Sequence, residues 1–177
     1  MPTITVHPVT PERWPDFQRL FEARGGPHYC WCLVYRDPEH PKISSDERRD
    51  KMHDLVKHGT PIGLLAYDGD EPVGWCSVAP RESYQRLGRS RSMPRVEADD
   101  VSTWTVLCFF VRRDHRKSGV TKALIEGAVS YAKKAGAQVI EGYPWDTAGI
   151  SSTHRGHSAI FRDAGFERDG KRWVVRV

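Results

Sequence analysis

Apolar and polar positions alternate over residues 3–8, the period-two pattern of a strand with one covered face. Thr10-Pro11-Glu12 then opens a helix, with Thr10 as N-cap, Pro11 at the first helical position and acidic residues in the first turn. Phe17, Leu20 and Phe21 give that helix its apolar stripe. Gly25-Gly26-Pro27 breaks the pattern, and an aromatic, cysteine-bearing run follows: His28-Tyr29-Cys30-Trp31-Cys32-Leu33-Val34-Tyr35-Arg36. A second helix starts near Ser44-Ser45-Asp46-Glu47 and ends by Gly59, with Met52, Leu55 and Val56 turned inward.

Two β-rich runs, Ile62-Gly63-Leu64-Leu65-Ala66-Tyr67 and Val73-Gly74-Trp75-Cys76-Ser77-Val78, flank Asp68-Gly69-Asp70-Glu71-Pro72 and predict a hairpin. Residues 81–100 are polar, basic and irregular, which reads as a long loop. Thr103 to Val111 is an unbroken apolar, β-rich run, as expected of a central strand buried on both faces. A polar turn over 112–119 leads into a helix over 120–135, where Val120, Leu124, Ala128, Tyr131 and Ala132 recur at helical spacing. Lys133 and Lys134 complement its C-terminal dipole and Gly136 is its C-cap. A short strand over 139–143, a helix near 158–164 ending at Gly165, and a closing strand over 173–177 complete the chain. The order β-α-α-β-β-β-α-β-α-β predicts an α/β (α+β) fold, a mixed sheet with helices against it.

At 177 residues the chain suits one well-buried core, so a single domain over 1–177 is expected. Repeats, low-complexity tracts and dividing linkers are absent. With 38% hydrophobic and 28% charged residues it reads as a soluble globular protein, and no run approaches the roughly 18 apolar residues that span a bilayer. Met1-Pro2-Thr3-Ile4-Thr5-Val6-His7 lacks the basic start and long apolar run of a signal peptide, which makes the cytoplasm the expected compartment. Cys76 and Cys108 fall in strand-like runs, so the four cysteines are expected to be free thiols. A net charge of +4 permits an anionic cofactor but is too small to argue for nucleic acid.

The chemistry is concentrated in Phe109-Phe110-Val111 and Arg116-Lys117-Ser118-Gly119-Val120-Thr121. A buried strand ends in a basic, glycine-containing turn that opens directly into a helix. The first turn of a helix has backbone N–H groups without internal partners, and its dipole favours negative charge, so this is an anion site. Gly119 lets the backbone approach a diphosphate, and Arg116 and Lys117 add positive charge.

Here the chain resembles the GNAT acetyltransferase superfamily, whose signature is a strand, then Arg/Gln-x-x-Gly-x-Gly/Ala, then a helix. Arg116 matches the first position and Gly119 the middle glycine, while Thr121 replaces the usual Gly or Ala and crowds the turn slightly. The Val73-Gly74 hairpin, the Ala135-Gly136-Ala137 junction and Ala159-Ile160-Phe161-Arg162-Asp163-Ala164-Gly165-Phe166 extend the likeness over nearly the whole chain. It looks closest to a bacterial branch with a Cys-Trp-Cys segment and a Tyr-Pro-x-Asp turn, here Tyr143-Pro144-Trp145-Asp146. The resemblance implies a mostly antiparallel central sheet flanked by helices, with residues 109–111 and 116–121 holding acetyl-CoA. It also implies direct transfer of the acetyl group to a primary amine of a small molecule or peptide, in a monomer or homodimer with no membrane or nucleic-acid partner. The alternative is a non-catalytic module that keeps the coenzyme A site.

Such transfer needs a route for the amine's proton and help for the departing thiolate. The resemblance points first to a carboxylate or histidine on the central strand, where this chain has Thr105 and Leu107, and then to a tyrosine acid, where it has Phe161. The next strand offers replacements: Glu141 and Tyr143 share a face of residues 139–143. Glu141 in an apolar run is either a base with desolvation-raised basicity or a strand-end glutamate paired with an arginine. Asp146 is the next choice of base. Cys108 reads as a small core hydrophobe, and Cys32 has no evident activating base, so a covalent route is disfavoured.

Trp31, Tyr35, Trp75 and Arg81 are the expected acceptor contacts, although aromatics in a small domain also serve the core. His154 and His157 either reach the cofactor or cap the last helix, and Trp145 either lines the acceptor site or packs. The basic loop containing Arg81, Arg86, Arg89, Arg91 and Arg95 points to an acceptor with a carboxylate or phosphate near its amine. RNA binding by that loop ranks last, because Tyr84 is its one stacking aromatic. His28-x-Cys30-x-Cys32 lacks the spacing and second ligand pair of zinc sites, so no metal is expected.

Overall fold

A computed structural model describes residues 3–146 and 154–177; Met1 and Pro2, the start of the segment read for a signal peptide, lie outside them. The elements are β1 (Ile4–Pro8), α1 (Trp14–Glu22), α2 (Ser45–Lys57), β2 (Gly63–Asp68), β3 (Glu71–Pro80), β4 (Thr103–Val111), α3 (Val120–Lys134), β5 (Val139–Gly142), α4 (Ser158–Asp163), β6 (Glu167–Asp169) and β7 (Arg172–Arg176). The strands form one sheet in the order β1-β2-β3-β4-β5-β7-β6, antiparallel throughout except for the β4–β5 pair. No helix among the described residues is long and apolar enough to cross a membrane.

Three boundaries differ from the sequence reading. Thr10 makes no side-chain cap hydrogen bond; Pro11–Arg13 is a 3₁₀ turn and the α-helix begins only at Trp14. Pro15 has no N–H to return to the carbonyl of residue 11, which prevents an α-helical turn there. In the hairpin, β2 runs through Asp68 and β3 starts at Glu71, so the turn is only Gly69-Asp70. The chain also ends in a hairpin rather than one strand. Its first member is Glu167-Arg168-Asp169, three exposed charged residues with no apolar alternation to betray them.

Other local signals act as their chemistry dictates. Ser44 and Glu47 form a reciprocal capping box at α2, with Glu47 N to Ser44 Oγ at 3.2 Å and Ser44 N to Glu47 Oε2 at 2.7 Å. Trp14, Phe17, Leu20 and Phe21 form the buried stripe of α1, and with Trp31, Met52 and Trp75 they fill one side of the sheet. On the other side α3 lays Val120, Leu124, Ile125 and Ala128 against Leu64, Val78, Val106 and Ile140.

A bulge in the β3–β4 ladder positions the site. Ser77 pairs with Cys108 and Val78 with Val106, so Leu107 has no partner. It resets the alternation of β4: Trp104, Val106 and Phe109 join the α3 side, while Leu107, Cys108 and Phe110 pack on the other. The loop over 81–100 is partly ordered by two 3₁₀ turns and folds Tyr84, Leu87 and Met93 over Leu107 and Tyr143.

Candidate active site

β4 ends at Val111, and the chain turns through Arg113–His115 before α3 begins. Lys117 (φ 61°) and Gly119 (φ 83°) are both left-handed, which turns the backbone sharply enough to aim the first turn of α3 outward. The first α3 bond runs from Ala123 N to Gly119 O at 3.0 Å. The N–H groups of Val120, Thr121 and Lys122 therefore have no partner within the helix. They face a cavity of about 260 Å³ whose walls include Val111, Arg116, Lys117, Gly119 and Ile160 and no acidic residue. Ser118 is not in that wall; its hydroxyl donates to the His115 carbonyl and tightens the turn. His115 is held in turn by Asp68, Nε2 to Oδ2 at 3.2 Å.

Beside this turn, β4 and β5 part. Their parallel pairing ends at Val106↔Gly142, whereas β4 continues to Val111. Arg112 N bonds Val73 O at 2.9 Å, so by alternation Phe110 turns its backbone groups to β3 and Phe109 and Val111 turn theirs to the side β5 has left. No strand among the described residues pairs with that edge. Phe109 packs edge-on against Phe161, 6.2 Å between ring centroids, while Phe110 is half-buried on the opposite face. Phe161, at the place of the absent tyrosine acid, is fully buried. A Cβ on Gly142 would lie 2.2 Å from its ring, so Gly142 is what allows the ring to seat.

Glu141 on β5 and Tyr143 just beyond its end do lie on the same side, both reached by Arg81, but Glu141 is enclosed in ion pairs. Oε1 accepts from Arg81 Nη1 at 2.5 Å and from the Thr105 hydroxyl at 3.0 Å, and Oε2 accepts from Arg172 Nη1 at 3.1 Å. All four side chains are buried. Both carboxylate oxygens are thus committed, the arrangement of the arginine-paired reading, one of the two that the sequence left open. Asp146 is equally committed: it caps α4, accepting from Ser158 N at 2.8 Å and Ser158 Oγ at 2.7 Å, which holds its carboxyl below the ordinary range.

Tyr143 is buried beside Arg81 and Glu141. Its hydroxyl receives Arg81 Nη1 at 3.2 Å and reaches the Pro94 carbonyl at 3.4 Å. Burial, and next the Glu141 charge, push it up to about 12.

The expected acceptor contacts divide. Trp31 and Trp75 belong to the core, where Phe21 stacks on Trp31 at 5.6 Å and meets Trp75 edge-on at 5.7 Å. The Trp31 N–H is satisfied by Ser45 Oγ at 3.1 Å. Arg81 is a structural clamp that also binds the carbonyls of Leu87 and Met93, at 3.4 and 2.6 Å. Tyr35 alone of the four lines open space, a second cavity of about 770 Å³ shared with Arg86, Arg89, Met93 and Arg155. Arg155 carries no periodic or motif signal in the sequence. His157 is exposed at the N-cap position of α4 and gives no side-chain cap bond.

Cys32 has the most unusual surroundings of the four free thiols. It is buried with a left-handed backbone (φ 55°) and is lowered to about 7, first by the Cys108 thiol, then by the Trp75 N–H, the Arg36 guanidinium and the Ser77 hydroxyl. The neighbouring thiol and the positive charge of Arg36 outweigh the burial, which by itself would favour the neutral thiol.

Comparison with known proteins agrees with this fold. The profile of the acetyltransferase (GNAT) family matches residues 27–148. No curated protein matches the chain. Among solved structures, an apo aminoglycoside 6'-N-acetyltransferase from Acinetobacter haemolyticus is 18% identical with a TM-score of 0.57, covering 94% of this chain and 93% of that one. A GNAT family acetyltransferase from Brucella melitensis in complex with acetyl-CoA is 10% identical with a TM-score of 0.52, covering 99% and 89%. A GCN5-related N-acetyltransferase from Kribbella flavida is 16% identical with a TM-score of 0.53; the match covers 94% of this chain but spans only 33% of that protein. At these identities the likeness is one of fold.

Proposed function

The chain belongs to the GNAT acetyltransferase family and draws its acetyl group from acetyl-CoA, and from that premise we propose that it N-acetylates a primary amine of a small molecule or peptide by direct attack. One observation carries the reading: the unpaired edge of β4 runs directly into the open, acid-free N-terminus of α3. We read residues 1–177 as one catalytic domain, because a single sheet draws strands from residue 4 to residue 176.

The residues fit the donor. The N–H groups of Val120, Thr121 and Lys122, with Arg116 and Lys117, would hold its pyrophosphate, and Gly119 keeps that approach free of side chain. Phe109 and Val111 would offer backbone groups to its pantetheine amides as a neighbouring strand would. The thioester supplies an activated acetyl group. Tyr143, protonated across the neutral range, can exchange its long bond to Pro94 for one to the departing sulfur. Glu141 positions Tyr143 through Arg81. With Glu141 and Asp146 both committed, the amine's proton leaves to water through the larger cavity.

The test is a thermal shift with acetyl-CoA, followed by thiol release against an amine panel with mass detection of the N-acetyl product. A shift without thiol release for any amine would replace this reading with a coenzyme A-binding module that does no chemistry.

A further inference from the structure

The larger cavity gathers positive charge without a counter-charge in its walls. Elsewhere several guanidiniums have a carboxylate: Arg81 has Glu141, Arg95 has Glu82, Arg112 has Glu71 and Asp114, and Arg172 has Glu97, Asp169 and Glu141. Arg86, Arg89 and Arg155 converge on one cavity of about 770 Å³, and among the described residues none of them has an acidic partner. Arg86 spends one N–H on the Val34 carbonyl at 3.0 Å. Arg155 lies over the Trp145 ring, 4.7 Å from its centroid, and its Nε is buried without an acceptor among the described residues. Among the described residues no aspartate or glutamate lines the cavity; its other walls are apolar (Tyr35, Leu87, Met93) or neutral polar. Asp37 and Glu39, either side of the lining residue Pro38, are held by Lys51 and Lys42.

Three guanidiniums without a carboxylate, facing one cavity, make it a positively charged site suited to an anion. The cavity also has the volume of a small-molecule site rather than of a surface dimple. Its apolar wall is continuous with the reaction centre: Tyr35, Leu87 and Met93 belong to the same cluster as Leu107 and Tyr143, which flank the β4–β5 splay.

We infer that the acceptor is an anionic amine, whose carboxylate or phosphate is bound by Arg86, Arg89 and Arg155 while its amino group points toward the splay. This rests on the acetyltransferase reading and names its substrate class. The basic loop as a whole is not the recognition element, because Arg81 is buried on Glu141 and Arg95 is paired at the surface with Glu82 and Asp99. Two of its arginines, joined by one from the segment before α4, are.

Three probes differing at one end suffice for the test: propylamine, β-alanine and O-phosphoethanolamine. Thiol release from acetyl-CoA should favour an anionic probe over propylamine by about tenfold to a hundredfold in kcat/KM, as expected for charge-assisted hydrogen bonds, and the advantage should shrink as salt is added. Whichever of β-alanine and O-phosphoethanolamine leads identifies the anion. The variant carrying Arg86→Gln and Arg89→Gln should lose that advantage while the thermal shift with acetyl-CoA persists. Arg89→Gln alone, which removes no contact within the fold, should show part of the same loss. A parallel thermal shift with each probe in the presence of coenzyme A reads binding without chemistry. If no probe is turned over but the anionic ones stabilise the wild type and not the double variant, the anion site stands and N-acetylation falls. Equal or better use and binding of propylamine, or an undiminished anionic preference in the double variant, overturns the inference.

Discussion

Arg172 reaches from β7 to Glu141 on β5, Nη1 to Oε2 at 3.1 Å, and both side chains are buried. With Arg81 on the other oxygen, Glu141 is the carboxylate between two guanidiniums. Replacing it by glutamine keeps the shape and leaves both charges without their shared counter-ion. Glu141→Gln should therefore lose about 3–5 kcal/mol of stability, measured by denaturant unfolding. Turnover below the new melting point should fall by less than about tenfold. A general base would instead cost roughly two to four orders of magnitude, and that result would restore Glu141 to the chemistry.

The α3 turn makes a separate prediction. Gly119 has φ 83° and open space where a Cβ would stand, so a glutamate there adds backbone strain and a negative charge to the anion cavity. Gly119→Glu should abolish the thermal shift that acetyl-CoA gives the wild type through preferential binding to the folded state. An intact shift would separate the turn from donor binding.

Tyr143→Phe removes a hydroxyl that stays protonated at neutral pH next to β5. Turnover should fall about a hundredfold to a thousandfold, the usual loss for one donor to developing negative charge, with KM for acetyl-CoA unmoved. Because Tyr143 is pushed up to about 12, the wild-type rate should not decline between pH 8 and 10 through its ionisation. It should climb there as more of the amine becomes neutral. A basic limb that falls within that range in the wild type, and disappears in Tyr143→Phe, would contradict the assignment.

Cys32 links folding to pH. Its thiol is lowered from 9.0 to about 7, so it releases its proton earlier in the folded chain than in the unfolded one. That contribution to stability is fully present above the unfolded value and is lost as pH falls through 7. Between pH 6.5 and 8, where Cys30 and Cys108 stay protonated in the fold, wild-type stability relative to Cys32→Ala should rise with pH. A difference that stays flat over this window would show that Cys32 is an ordinary buried thiol.

Strong local periodicity made much of the architecture legible. Residues 103–111 and 120–134 have the long unbroken patterns of a buried strand and an amphipathic helix, and both elements stand where the pattern places them. The residues of the α3 turn were legible because a helix N-terminus recognises anions by backbone, which depends on local order alone. What was hidden depends on distance in the chain. Glu141 meets Arg81 and Arg172 across 60 and 31 residues, so nothing near it in the sequence announces that its oxygens are taken. Trp31 and Trp75 carry the same apolar surface whether they line a cavity or fill a core, and only the packing of Phe17 and Phe21 decides. Arg155 becomes meaningful only beside Arg86, which comes from another part of the chain.

The parting of β4 from β5 gives the sheet three borders instead of two. Open strand borders invite pairing with other copies of the same chain, and the two outer ones are guarded against it. β6 is three charged residues long, and β1 stops at Pro8, which has no N–H to donate. The third border, along Phe109 and Val111, has no such guard and lies inside a cleft between two strands of one sheet. There β5 belongs to the same sheet, so an incoming strand would meet a neighbour already in place rather than a free outer edge.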